Sequence, residues 1–280
     1  MGELVLRRRR MPSSTEDVFE VKLGDDFLMS SMFTVAEEEM ARLALAAVPG
    51  EGLDVVVGGL GLGYTARTVL ESPRVGSLLV VEILGEVIEW HRRELVPTST
   101  SLVSDERCVL REGDFFALLG SPTGLDPADP DRRFHAIIVD IDHSPRHLLH
   151  ERHGDFYRAT GLDRLARRLH PGGVFTLWSN DPPDADFMAV LGSCFATAEA
   201  EVVRFDNPLQ DREATNTVYV ATVVPGDRRP DHRPCAPARI ARSRAANASG
   251  SSTNPMWPPG NIVGSTPSAA ASSVDVRSQT

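Results

Sequence analysis

The sequence predicts an α/β fold: a mostly parallel sheet with an antiparallel pair at one edge, preceded by a small β-hairpin region. Three observations predict it. Short apolar runs, among them Val55-Val56-Val57, Leu78-Leu79-Val80-Val81 and Ile137-Ile138-Val139, alternate with helix-patterned stretches. Such runs suit strands buried on both faces, and their alternation with helices is the mark of a parallel sheet. The first run breaks into Gly58-Gly59-Leu60-Gly61-Leu62-Gly63 and passes into the helical segment Tyr64–Glu71. Finally, carboxylates follow the apolar runs: Glu82 after the second strand, Asp114 after the third, Asp140 after the fourth. A parallel sheet binds ligands at those carboxyl ends.

Each element has its own justification. Glu3–Leu6, Asp17–Leu23 and Phe27–Met29 read as short extended segments separated by polar residues, with Arg7–Arg10 as a solvated turn between the first two. Thr34–Val48 is a helix, with Thr34 placed to cap it, Glu37 three residues on as in a capping box, and Pro49-Gly50 ending it. Leu84–Leu95 is an amphipathic helix that carries Trp90 for packing, and Cys108–Arg111 is the third strand. Phe115–Leu119 begins a further helix, Ser121–Arg133 is a proline-rich loop, and Phe134–Asp140 is the fourth strand. A loop, Ile141–His153, holds four histidines, and Tyr157–His170 is a helix closed by Pro171-Gly172-Gly173. Val174–Trp178 is the fifth strand and Ala185–Phe195 another helix, while Glu201–Phe205 and Asn216–Val224 form the antiparallel edge pair. From Pro225 onward Pro, Arg, Ser and Ala dominate and hydrophobic periodicity stops. The expected division is therefore a β region at 1–33, a catalytic domain at 34–225 and a disordered tail at 226–280.

Bulk properties narrow the function. A formal charge of −10 over 280 residues argues against broad nucleic-acid binding, which needs a basic footprint, and is compatible with a cationic substrate. Cys108, Cys194 and Cys235 are too few and too scattered for a disulfide framework or a zinc site. No apolar run approaches the roughly 20 residues of a membrane span. The start MGELVLRRRRMP has no apolar core of a signal peptide, so a cytoplasmic location is expected, with no membrane partner.

The chemistry concentrates in the glycine turn and the strand-end acids. Glycines there let the backbone turn sharply and approach a ligand closely. Glu82, about 20 residues beyond the glycines, stands where a ribose diol is gripped, or alternatively caps the next helix. Asp114 can accept from an adenine amino group, cap the Phe115 helix, or do both. Asp140 and Asp142, in Val139-Asp140-Ile141-Asp142-His143, suit a base for an amine, since close carboxylates raise one pKa. Asp142 also reads as turn chemistry before Ser144-Pro145. His143, His147, His150 and His153 lack the spacing of a rigid ligand pair and are read as loop or surface histidines, with no metal expected. The spacing Gly59, Gly61, Gly63 differs from the dinucleotide fingerprint, and the chain resembles the Rossmann-like class I S-adenosylmethionine-dependent methyltransferase fold.

In the order of its segments the chain is also similar to the spermidine synthase (polyamine aminopropyltransferase) family. The similarity runs from about Gly2 to Val224 and rests on the glycine loop, Glu82, Arg111–Asp114 and the stretch FHAIIVDIDHSP. It implies an aminopropyltransferase that takes decarboxylated S-adenosylmethionine, bound by Gly58, Gly59, Gly61, Gly63, Glu82 and Asp114, and an amine acceptor. It also implies that Asp140 helps deprotonate the attacking amine. The family's D-x-x-D-P reads here Asp140-Ile141-Asp142-His143-Ser144-Pro145, so its second Asp has no clean counterpart, and two further departures stand out. Gly61 replaces the family's loop aspartate, which contacts the aminopropyl end, and SSMFTVAEEEMARL replaces the segment that carries a Gln and a Tyr-His pair near the polyamine. These departures keep open a small-molecule methyltransferase using S-adenosylmethionine, or a non-catalytic nucleoside-binding relative. The expected partner is a small-molecule amine, with a homodimer left open as the assembly.

Overall fold

The computed structural model describes residues 3–10, 17–24, 26–207, 210–226 and the strand at 274–278. Strands β1 (Leu4–Arg10), β2 (Asp17–Leu23) and β3 (Asp26–Ser30) form a small antiparallel sheet, joined at the β1 edge by β11 (Val274–Ser278). Two expectations change here. Arg7–Arg10 belongs to β1 and is no turn, because Arg8 and Arg10 pair with Asp17 and Arg9 with Glu20 across the ladder. Opposite charges facing one another stabilise strand pairing. Within the segment read as a disordered tail, Val274–Ser278 is a strand antiparallel to β1. Its alternation of Val with polar residues suits a half-buried edge. The rest of 227–280 lies outside the described residues.

The main sheet has seven strands: β4 (Leu53–Gly58), β5 (Val75–Glu82), β6 (Cys108–Glu112), β7 (Phe134–Val139), β8 (Leu169–Ser179), β9 (Thr197–Asn207) and β10 (Arg212–Thr222). Their order is β6-β5-β4-β7-β8-β10-β9. The first five run parallel, and β10 lies antiparallel to both β8 and β9. Val55–Val57 and Ile137–Val139 are fully buried, as a central parallel sheet covered on both faces requires. The chain runs from β4 outward through β5 to β6, then returns to β7 on the other side of β4. That reversal opens a crevice at the carboxyl ends of β4 and β7.

Helices follow the five parallel strands: α2 (Tyr64–Leu70), α3 (Gly85–Arg92), α4 (Ser99–Val103), α5 (Phe115–Leu119), α6 (Ala159–Arg167) and α7 (Ala185–Cys194). The stretch expected as Tyr157–His170 is shorter, because Leu169 and His170 already lie in β8 and Phe156 and Tyr157 turn inward to an aromatic cluster. Pro171-Gly172-Gly173 is consequently absorbed into β8, where Gly172 adopts φ +74° and the pairing with β7 shifts register. Helix α1 (Val35–Ala47) precedes β4 and packs on α2, β7, β8 and β10. Five residues connect it to β4, so it runs antiparallel to that strand. Its first turn therefore stands at the carboxyl end of the sheet. The predicted capping box does not form: Thr34 Oγ1 donates to Glu38 Oε1 at 3.1 Å and makes no cap bond.

Candidate functional site

The glycine turn is fixed from several sides. Gly59 sits at φ +95°, and a Cβ there would run into the carbonyl oxygen of Asp140. Only glycine permits this approach of two backbones. Asp140 N in turn donates to Gly58 O at 2.8 Å, stitching the end of β4 to the end of β7. Beyond it, Gly61 O is held by His91 Nε2 at 2.9 Å and Leu62 O by Thr98 Oγ1 at 2.5 Å. His91 is fully buried, and that burial lowers its pKa, so a neutral ring holds the loop. Met29 of β3 contributes as well: Leu62 N donates to its sulfur at 3.0 Å, and that sulfur fills the space where a side chain at position 61 would begin. The small sheet thereby touches the glycine turn.

Glu82 ends β5 and is 8% exposed. Leu60 N donates to its Oε2 at 2.9 Å and Leu84 N to its Oε1 at 2.8 Å. Burial raises its pKa, and these backbone N–H groups together with those of Gly61 and Ile83 oppose the rise. It thus braces both the glycine turn and the turn that leads into α3, whose N-cap is Leu84 and carries no side-chain cap bond. Each carboxylate oxygen keeps a further lone pair for a ligand hydroxyl. Beside it, Ile83 is 52% exposed and offers an apolar platform at the crevice rim. Asp114 likewise fills its capping role, with Oδ1 accepting from Ala117 N at 3.1 Å, and remains partly exposed.

Asp140 and Asp142 separate sharply. Asp140 lines the crevice, and its Oδ2 accepts from Thr65 Oγ1 of α2 at 2.9 Å. Burial raises its pKa to about 6 against the pull of that hydroxyl. Asp142 is enclosed: its side chain has 0% exposure. Its Oδ1 accepts from Leu149 N at 2.7 Å and pairs with His153 Nδ1 at 2.8 Å, and Tyr157 OH donates to Oδ2 at 2.9 Å. This geometry favours the structural reading of Asp142 over the catalytic one. Asp142 organises the loop after β7 and presents no free oxygen to the crevice.

The four loop histidines take local partners. His147 pairs with Asp181, His150 accepts from Arg152 N, His153 holds Asp142, and Asn180 N donates to the carbonyl of His143. Among the described residues one other group gathers three ligand atoms, Asp54, His135 and His170, at the amino ends of the strands and away from the crevice. His135 Nδ1 accepts from Asp54 N at 2.9 Å, which leaves the proton on its other ring nitrogen. The Asp54 carboxylate pairs with Arg132 at 2.9 Å, a competitor for any cation.

Sequence reasoning missed several members of the site. Thr65, His91, Thr98 and Met29 lie far from the glycine turn in sequence or carry no motif of their own. Glu37 was read only as a capping residue, yet it is 8% exposed on the sheet-facing side of α1. Burial and the charge of Asp140 hold its carboxyl well above the usual range.

Comparison with known proteins finds relatives in sequence and in fold. The polyamine aminopropyltransferase of Bacillus mycoides is 28% identical over 148 residues, covering 53% of this chain and 48% of its own length. Polyamine aminopropyltransferase 2 of Pseudomonas aeruginosa is 30% identical over 156 residues, 52% of this chain and 40% of its own. The chain thus spans about half the length of the curated relatives it matches. In structure, spermidine synthase from Thermotoga maritima superposes with a TM-score of 0.56 at 17% identity, covering 78% of this chain and 72% of the other. A spermidine synthase in complex with the transition-state analogue AdoDATO gives 0.55 at 18% identity with the same coverage. Residues 34–185, more than half of the chain, match the model of the spermine/spermidine synthase domain, and the chain belongs to that family.

Proposed function

We propose that this protein is a spermidine synthase-like transferase that moves an aminopropyl group from decarboxylated S-adenosylmethionine to an amine. The observation that carries the reading is Asp140. It is a carboxylate with a pKa near 6, held by Thr65 at the point where the glycine turn meets the end of β7. Glu82, through the lone pairs its backbone partners leave, would hold the ribose, and Asp114 and Ile83 the base. Gly58, Gly59, Gly61 and Gly63 let the backbone close on the donor. When bound, the donor supplies an electrophilic carbon next to a sulfonium and a neutral thioether leaving group. An acceptor amine arrives as an ammonium without a lone pair, and Asp140, ionised above pH 6, takes that proton. Positioning and exclusion of water supply most of the acceleration, with general base catalysis adding typically 10²–10⁴-fold.

The test is product identity. The purified protein is incubated in turn with S-adenosylmethionine and its decarboxylated form, each with a panel of amines. Methylthioadenosine release with the decarboxylated donor is the expected result. Release of S-adenosylhomocysteine would instead make the protein a methyltransferase, the reading that Gly61 motivates. Nucleoside binding without turnover would make it a non-catalytic relative.

A further inference from the structure

A second carboxylate, Glu37, is buried within electrostatic reach of Asp140 and has no role in the reading above. Residues Ala36, Glu37, Met40, Ala41 and Ala44 form the buried face of α1, so Glu37 points toward the sheet from the turn nearest the strand ends. The next residue, Glu38, is fully engaged by Thr34, Arg42 and Arg67. Glu37 is not: although 8% exposed, its carboxylate accepts from no other described residue, and its own backbone N–H is the one group that favours its charged form, against the charges of Asp140 and Glu38. A buried carboxylate left so is costly to ionise unless a cation joins it.

The neighbouring elements supply no such cation. Helix α1 packs on α2, β7, β8, β9 and β10. From α2, Arg67 pairs with Glu38 and Glu71. At the end of β7 stands Asp140 itself. Strand β8 carries only His170, near its far end. On β9 and β10, Arg204 pairs with Glu213, Arg212 donates to Gln210, and the remaining charges, Glu199, Glu201 and Asp206, are acidic.

We propose that Glu37 and Asp140 form a two-carboxylate seat for one ammonium group of the acceptor. This deepens the proposed function and rests on it for the identity of the donor. Before the acceptor binds, burial and the charge of Asp140 favour the protonated form of Glu37, since two neighbouring carboxylates resist ionising together. An entering ammonium removes that penalty, and Glu37 releases its proton to solvent. In the transfer, one N–H proton passes to Asp140 and the freed lone pair forms the new C–N bond. The C–S bond breaks in the same step and its electron pair leaves on sulfur. The seat selects a primary aliphatic amine without a carboxylate of its own, because a substrate anion would face Glu37 and Asp140 together.

The experiment is calorimetry with n-butylamine and 1,4-diaminobutane, with and without saturating methylthioadenosine, in phosphate and in Tris at pH 7. Different ionisation heats of the two buffers report the proton exchanged. Wild-type protein is expected to release close to one proton per amine bound. Glu37→Gln should abolish that release and weaken amine binding about tenfold or more, while methylthioadenosine affinity stays within about twofold. Glu37→Asp should restore part of both, which a folding defect would not. If amine binding and proton release are unchanged in Glu37→Gln, or if the substitution weakens methylthioadenosine instead, the seat is wrong while the donor site stands. Proton-coupled amine binding without any nucleoside binding would sustain the seat and overturn the proposed transferase. Absence of both overturns both.

Discussion

Replacing Asp142 by alanine should damage the fold of one loop, not the chemistry. The side chain is wholly enclosed and satisfies three groups: Leu149 N at 2.7 Å, His153 Nδ1 at 2.8 Å and Tyr157 OH at 2.9 Å. Alanine leaves the Tyr157 hydroxyl, itself buried, without its acceptor, and frees the Leu149 amide and His153. Each buried donor left unsatisfied costs about 1–3 kcal/mol, and removing one partner of a buried pair costs about 3–5 kcal/mol in all. For a domain of this size that corresponds to a fall in Tm of roughly 6–20 °C. The measurement is thermal and urea denaturation of Asp142→Ala, paired with turnover and nucleoside affinity at a temperature where the variant remains folded. Expected are a large loss of stability and a nucleoside affinity within about threefold of wild type. A variant that keeps its Tm but loses turnover by a hundredfold or more would refute the structural assignment and return Asp142 to the chemistry.

Three further outcomes follow from the same geometry. Glu82→Ala should weaken nucleoside affinity by at least about tenfold, since hydrogen bonds to a charged group contribute roughly 1.5–3 kcal/mol each, and calorimetry on the folded variant checks it. Asp140→Asn should lower turnover about 10²–10⁴-fold with nucleoside affinity changed far less. In the wild type, turnover should rise with pH through about 6, as Asp140 loses its proton. The stability linkage has the opposite sign. The raised pKa means the native state keeps a proton that the unfolded chain has lost, so this contribution is complete below the unfolded value and lost as pH climbs through 6. A turnover profile flat from pH 5 to 8 would remove Asp140 as the base. Gly61→Asp, which puts back the family's loop acid, should lower the Tm because its Cβ meets the Met29 sulfur and its backbone is held at φ +48°, and Met29→Ala in the same chain should recover only the part due to the clash.

The sheet was legible because its determinants are local. Runs such as Val55–Val57 and Ile137–Val139 are too short and too apolar for anything but central strands, and the helices between them force parallel pairing. Where the reading failed, a partner distant in sequence decided the outcome. Arg7–Arg10 looks like a solvated turn until Asp17 and Glu20 come opposite it on β2. Pro171-Gly172-Gly173 looks like a helix stop, and it is instead an irregularity in a strand whose pairing with β7 continues on either side.

The candidate site shows the same division more sharply, because a carboxylate's role depends on what else reaches it. Glu82, Asp114 and Asp140 were visible from their place at strand ends, a position set by chain direction alone. Asp142 and Glu37 were less so, because their surroundings come from residues distant in sequence. Asp142 sits in the conspicuous stretch VDIDHSP, yet His153 and Tyr157, 11 and 15 residues onward, close over it. Glu37 sits in an ordinary helical start, where TVAE imitates a capping box, but Thr34 turns to Glu38 and the helix rotates Glu37 toward Asp140. Neighbouring glutamates at 37, 38 and 39 differ by about 100° in direction around a helix, and only the tertiary packing decides which of them faces the sheet. A run of three acids therefore reads as a solvated surface in sequence, while in the fold one of the three is buried on the sheet-facing side of the helix.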